Sequence, residues 1–277
     1  MNLEFVRSQY DFTGKTVAVT GGAGVLCSAM AATMAGCNAN VVILDRDPAA
    51  GEKVVASFGA TKGKHLVVPI DVLDREKVVA AAKSVIDTYG RIDFLINGAG
   101  GNNPKATTSP DMKFFDIPAD AFQFVANLNL IGTVLPSQIF GKYMVDQKEG
   151  NILNISSMNA FRPLTRIAAY SAAKAAVSNF TQWLAVHMAQ EYSPKIRVNA
   201  LAPGFFLTDQ NRFLLTEKET GALTQRGKKI MDHTPMGRFG ETEDLLGAML
   251  WLLSPMSGFV TGIVLPVDGG FSAYSGV

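Results

Sequence analysis

The sequence is short of charge of either sign, short of cysteine and free of any long unbroken apolar run. Charged residues occupy 18% of the 277 positions, and 25 basic against 24 acidic side chains leave a net charge of +1. No basic stripe or tail gathers the lysines and arginines, which argues against nucleic acid or an anionic membrane as the main partner. The two cysteines, Cys27 and Cys37, lack C-x-x-C spacing and read as free thiols of a reducing compartment, not as a disulfide framework. No stretch approaches the roughly 18 consecutive apolar residues of a membrane span. Met1 to Phe12 carries Glu4, Arg7 and Asp11, so no secretory leader is expected and the cytoplasm is the default location. His65, His187 and His233 are scattered, without acidic or thiol neighbours at ligand spacing, so no metal is expected.

What is present is an alternation of β-rich runs and helical patterns. Val17–Thr20, Val41–Leu44, Leu66–Ile70, Phe94–Asn97, Asn151–Ile155, Arg197–Leu201 and Ile263–Val267 are apolar on both faces, as strands of a parallel sheet covered on both sides are. Between them, Arg75–Tyr89 repeats apolar residues at helical spacing, with Asp74 as N-cap and Gly90 just past the end. The alternation predicts a single-domain α/β Rossmann-type fold over residues 1–277, a doubly wound, seven-stranded parallel sheet with helices on both faces. Residues 101–118 and 205–240 fit the alternation poorly. Both follow strands, at the end of the sheet where open α/β folds bind ligands, and are expected to be substrate loops or lids.

At the end of the first strand, Thr20-Gly21-Gly22-Ala23-Gly24 opens a helix through Val25 and Leu26. Glycines there let backbone N–H groups approach a pyrophosphate, and the helix terminus adds partial positive charge. The second strand ends in Asp45, placed to accept hydrogen bonds from ribose hydroxyls and to repel a 2′-phosphate, which favours NAD; the neighbouring Arg46 keeps NADP open. Farther on, Tyr170 and Lys174 stand four apart on one helix face, with Ser157 thirteen positions before Tyr170 and Asn129 earlier still.

In this order and spacing the chain resembles the short-chain dehydrogenase/reductase family, from about Gly14 to Phe271. The likeness rests on Thr20-Gly21, Asp71, Asn97-Gly98-Ala99-Gly100, Asn129, Ser157, Tyr170, Lys174, Pro203-Gly204 with Thr208, and Asp268-Gly269-Gly270. It implies that Tyr170 is the acid/base, Ser157 holds the reacting oxygen, and Asn129 holds a relay water. Lys174 would bind the nicotinamide ribose and lower the phenol's pKa. Asp71 and Val72 would meet the adenine, Asn97, Gly98 and Ala99 would wall the nucleotide, and Pro203, Gly204 and Thr208 would face the carboxamide. A homotetramer is also implied, with Asp120–Asp146, Ile167–Tyr192 and the apolar tail compatible with its interfaces. Energetically the scheme is of the right order. A phenol titrates near 10, and lowering it by roughly 2–3 units takes about 3–4 kcal/mol. One cation about 4 Å away at an effective dielectric near 20 supplies roughly 4 kcal/mol.

The chain departs from the family pattern at Val25 and Cys27, where glycines are usual, and at Gly98, where a second asparagine is usual. A β-branched Val25 cannot comfortably take positive φ, so either the loop shifts, with Gly22 and Gly24 taking part of the work, or nucleotide affinity falls; binding itself is expected to survive, since the rest of the site is intact. Gly24-Val25-Leu26-Cys27-Ser28, the insert Gly101-Asn102-Asn103-Pro104-Lys105-Ala106-Thr107 and the tail Phe271-Ser272-Ala273-Tyr274-Ser275 resemble the branch that interconverts D-mannonate and D-fructuronate. A sugar acid needs a cation near the reacting carbon; Lys105 and Arg162 are the first candidates, ahead of Arg166, Arg212 and Arg238, with Asn103 and Asn159 for its hydroxyls. The alternatives are a gluconate-type or polyol dehydrogenase, a 3-oxoacyl-thioester reductase, and a catalytically silent nucleotide-binding regulator.

Overall fold

The computed structural model describes residues 1–207 and 212–276, without the side chains of residues 213 and 214. Seven parallel strands form one sheet: β1 (Thr16–Thr20), β2 (Asn40–Asp45), β3 (His65–Pro69), β4 (Phe94–Asn97), β5 (Gly150–Ile155), β6 (Ile196–Pro203) and β7 (Val264–Val267). Their spatial order is β3-β2-β1-β4-β5-β6-β7. The winding therefore reverses between β1 and β4, where Thr20 stands opposite both Leu44 and Asn97. Such a reversal opens a crevice at the carboxyl ends of the strands. Every strand forms where the apolar runs predict it, with ends shifted by no more than two residues.

Helices cover both faces. α1 (Leu3–Ser8) precedes the sheet, and α2 (Val25–Gly36), α3 (Pro48–Ala56) and α4 (Arg75–Tyr89) connect the first strands. α5 (Ala119–Ala126), a π-helical turn at Asn127–Ile131 and α6 (Gly132–Gln147) follow β4; α7 (Ala168–Glu191) joins β5 to β6. α8 (Arg212–Leu215), α9 (Gln225–Asp232) and α10 (Glu243–Leu253) lie between β6 and β7. One core packs Met30 and Met34 of α2 with Leu245, Met249 and Leu252 of α10. The other packs Val78 and Val85 of α4 with Phe140 and Met144 of α6 and Leu184 and Met188 of α7. Each fully buried aliphatic side chain of this kind contributes roughly 1.5–3 kcal/mol.

α4 forms with the predicted ends. Asp74 accepts from the N–H groups of Glu76 and Lys77, and Gly90 closes the helix in the left-handed region at φ 72°. The apolar stretch Ala119–Gln147 is long and apolar enough to cross a membrane by length and composition alone, but half of its most apolar window is packed inside the protein. It is not one regular helix. The π turn interrupts it around Asn129, and extra-residue turns of this kind re-aim a side chain, often at a functional site. The segment 101–118 carries short 3₁₀ turns at Pro104–Ala106 and Phe114–Asp116. The longer 205–240 segment carries α8 and α9.

Candidate active site

The crevice beside the β1/β4 reversal is a groove of about 400 Å³. Its walls include Gly21, Gly24, Asp45, Arg46, Asp71, Val72, Gly98 and Ala99. Gly21 adopts φ +62°, and a Cβ there would lie 2.9 Å from Ala99 Cα, so only glycine allows these two turns to meet. Thr20 ties them together: its Oγ1 accepts from Gly98 N (3.1 Å) and Ala99 N (3.3 Å). α2 begins at Val25 with Gly24 in extended backbone as its N-cap and no side chain capping it. Its first N–H groups are therefore available at the groove.

This geometry corrects the expectation about Val25. The residue is the first of the helix and is absent from the non-glycine residues of positive φ, so the chain asks no left-handed conformation of it. The second departure, Cys27, lies in the first turn of α2, only 5% exposed. At the end of β2, Asp45 turns one carboxylate oxygen to Ala23 N (3.0 Å) and the other to Asp47 N (3.1 Å). It braces the glycine turn while lining the groove. Asp71 likewise accepts from Leu73 N (3.0 Å).

At the other end of the crevice, β5 runs into Ser157 and α7 carries Tyr170 and Lys174. The Ser157 hydroxyl faces the Tyr170 phenol and favours its ionised form. Lys174 is buried; its Nζ donates to Ile155 O (2.7 Å) and lies 5.6 Å from the centre of the Tyr170 ring. Burial drives both groups toward their neutral forms, raising the Tyr170 pKa and bringing Lys174 from 10.5 down to about 8. The expected lowering of the phenol by its lysine is thus not what the protein alone produces. The ammonium is anchored on a backbone carbonyl over the ring face, and desolvation of the phenolate outweighs the pull of Ser157.

Asn129 reaches the same place from the π turn. Its Nδ2 donates to Val125 O (2.8 Å) and Gly101 O (2.7 Å), and its Oδ1 accepts from Gly101 N (3.2 Å). A Cβ on Gly100 would lie 2.6 Å from Asn129 Oδ1 and 3.4 Å from Lys174 Nζ, so the turn after β4 is pressed against both. Asn97 is buried and donates to Ser137 Oγ and Asn154 Oδ1, both at 2.9 Å, locking β4 to α6 and β5.

The four residues chosen for a substrate are less concentrated. Asn159 is buried near Ser157, and its Oδ1 has no partner. Asn103 spends its side chain capping the 3₁₀ turn through Lys105 N (2.9 Å). Lys105 and Arg162 are exposed and form no ion pair among the described residues. Arg238 is taken up by Asp244. Pro203 and Gly204 close β6, Gly204 N donating to Val267 O (2.9 Å). Thr208 lies outside the described residues. Sequence reasoning missed two contributors, the Ile155 carbonyl under Lys174 and the Ala23 amide on Asp45. Both act through backbone atoms and leave no mark on residue type.

Residues 21–272 match the family model described as enoyl-(acyl carrier protein) reductase. An uncharacterized oxidoreductase of Haemophilus influenzae is 47% identical, the alignment covering 98% of each chain. An uncharacterized oxidoreductase of Bacillus subtilis, UxuB, is 48% identical over 96% of this chain and 98% of its own. Among solved structures, a Haemophilus influenzae protein provisionally named D-mannonate oxidoreductase, with bound NAD, superposes with a TM-score of 0.91 at 47% identity, covering 98% of this chain and 100% of that one. A gluconate 5-dehydrogenase of Burkholderia cenocepacia in complex with NADP and tartrate gives 0.84 at 28% identity, covering 97% and 99%. With the sheet order, the serine–tyrosine–lysine cluster and the glycine-walled crevice all in place, this chain is an oxidoreductase that belongs to the short-chain dehydrogenase/reductase family.

Proposed function

We propose that the protein interconverts a secondary alcohol and a ketone with NAD as its preferred cofactor, that its substrate is a sugar acid of the D-mannonate/D-fructuronate type, and that it works as a cytoplasmic homotetramer. The meeting of Ser157, Tyr170, Lys174 and Asn129 beside the groove supports the chemistry. The exposed apolar side chains Trp183 and Val186 on α7, with Tyr192 just beyond it, support assembly.

The groove fits a dinucleotide on its own terms, because its walls are built where a Cβ would collide and it ends on an uncapped helix N-terminus. Asp45 and Arg46 would hold the adenosine ribose, Asp71 and Val72 the adenine, and the amides of Val25 and Leu26 the diphosphate, over the turn that Gly22 and Gly24 shape. Asn97, Gly98, Ala99, Lys174, Pro203 and Gly204 would border the nicotinamide. When bound, that ring accepts a hydride in oxidation and delivers one in reduction. Tyr170 takes the hydroxyl proton of the alcohol or returns it to the carbonyl oxygen. Ser157 donates to the same oxygen, and Lys174 supports the phenolate. Asn129 fixes the turn beside them.

Two measurements test this reading. Purified protein offered D-mannonate, D-fructuronate, gluconate, neutral polyols and a 3-oxoacyl thioester, with nicotinamide absorbance followed, is expected to favour the mannonate/fructuronate pair by about 10²-fold in kcat/KM. Faster turnover of neutral polyols or of the thioester would sink the sugar-acid assignment. For the cofactor, Asp45→Ala deletes a charged acceptor worth roughly 1.5–3 kcal/mol. It is expected to raise the KM for NAD about tenfold while improving use of NADP. A wild-type enzyme that prefers NADP would overturn the NAD assignment.

A further inference from the structure

Two of the positions at which this chain departs from its family touch each other. A Cβ built on Gly98 would lie 2.0 Å from Cys27 Sγ, so the sulfur already occupies the space that any side chain at 98 would need. The thiol is wedged between α2 and the turn after β4. On the far side of that turn stand Asn129, joined to Gly101 by two hydrogen bonds, and Lys174, within van der Waals reach of a Cβ on Gly100. The sulfur is therefore one end of a stack that runs through Gly98, Gly100 and Gly101 to Asn129 and Lys174.

We infer that Cys27 and Gly98 are one interlocked pair, in which the thiol is a positioning residue that sets where the 98–101 turn lies against Asn129, Lys174 and the dinucleotide groove. Two further observations agree. Cys27 is 5% exposed, and its pKa is pushed up to about 12 by burial, so the wedge is a neutral S–H at every working pH. Thr20 Oγ1 ties Gly98 N and Ala99 N to β1, so the turn is held by β1 as well as met by the sulfur. Cys37 shares none of this; it is half-buried at the other end of α2.

The interlock rests on the dinucleotide reading only for its functional readout, and a four-protein cycle keeps the two separable. Wild type, Cys27→Gly, Gly98→Ala and the double variant would be compared by melting temperature and, well below melting, by NADH titration and the pH profile of turnover. Cys27→Gly removes the wedge and is expected to weaken NADH about tenfold and to shift the pH midpoint. Gly98→Ala drives a methyl into the sulfur and is expected to weaken it about 10²-fold. The signature is a reversal of sign, because the same Cys27→Gly change should improve the Gly98→Ala protein by about tenfold in affinity and raise its melting temperature. Recovery stays incomplete, since the new methyl would still lie 3.0 Å from Thr20 O. If Gly98→Ala alone fails to fold, folding of the double variant supports the interlock and its failure overturns it. Additive effects overturn it as well. A purely structural pair would move the melting temperature and leave NADH affinity and the pH midpoint in place, which refutes the positioning role. Absence of NADH binding in the wild type would defeat the functional reading, and the sign reversal in melting temperature would still decide the interlock.

Discussion

Tyr170→Phe, which deletes a single oxygen atom, is expected to lower kcat/KM for the best substrate by about 10³-fold, in both directions, with NADH binding and melting temperature nearly unchanged. The size follows from what else is within reach. No histidine stands at the cluster: His187 stacks on Trp183 along α7, and His233 caps α9. Lys174 is occupied by the Ile155 carbonyl, and among the described residues Ser157, a hydroxyl of high pKa, has no base behind it other than the phenol itself. Removing the phenol oxygen leaves orientation and hydride transfer without a proton path, so the residual rate reports those alone. An undiminished Tyr170→Phe enzyme would withdraw the acid/base assignment and the proposed reaction with it.

The direction of the Tyr170 shift also shapes the expected pH dependence. Burial raises this phenol, so the protein without its nucleotide holds it protonated across the neutral range. That is the form needed for reduction. Oxidation requires the phenolate, and its rate is expected to rise with pH.

Much of this was legible in the residues, and the exceptions share a cause. The strands could be read because a sheet covered on both faces needs unbroken apolar runs, and β1 and β6 are buried at every position. α4 could be read to its last residue because Asp74 and Gly90 do local work that their chemistry announces. The Tyr170–Lys174 spacing is a helix-face rule and needs no tertiary knowledge. The π turn at Asn127–Ile131 has no such local mark; it exists because Asn129 is held by Val125 O on one side and Gly101 on the other, twenty-eight residues away in sequence. Val25 looked like an obstacle because it was judged against a glycine pattern, whereas the backbone places it inside the first helical turn. The contact between Cys27 and Gly98 joins α2 to the turn after β4, and each residue by itself looks like an unexplained substitution. Pairwise fit across the fold is what a single sequence hides.

Lys174→Met separates two jobs that the same ammonium would perform, and it is expected to cut the rate of oxidation at neutral pH by about 10²-fold. If the lysine only held the ribose, the variant would show a raised KM for NAD with an unmoved pH midpoint. If it also supports the phenolate, kcat at saturating NAD falls and the midpoint of the rising pH profile moves upward by about one unit or more, because removing a nearby positive charge makes the phenolate costlier. The second outcome is expected with NAD bound, since Lys174 Nζ lies 5.6 Å from the centre of the Tyr170 ring. Stability provides an independent sign. Lys174 titrates at about 8 in the fold against 10.5 in the open chain, so the folded protein binds fewer protons than the unfolded one between these values. The wild type therefore gains stability from this group as pH rises through that window and loses it again as pH falls through about 8. Methionine, with nothing to protonate and a similar length to bury, should melt higher than the wild type at pH about 7 and lose that advantage toward pH about 10. Tyr170 and Cys27 contribute in the opposite sense at the alkaline end, and both are present in both proteins. A variant less stable at neutral pH than the wild type, with an unmoved midpoint, would show that the ammonium is an anchor for the Ile155 carbonyl and not the charge that readies the phenol.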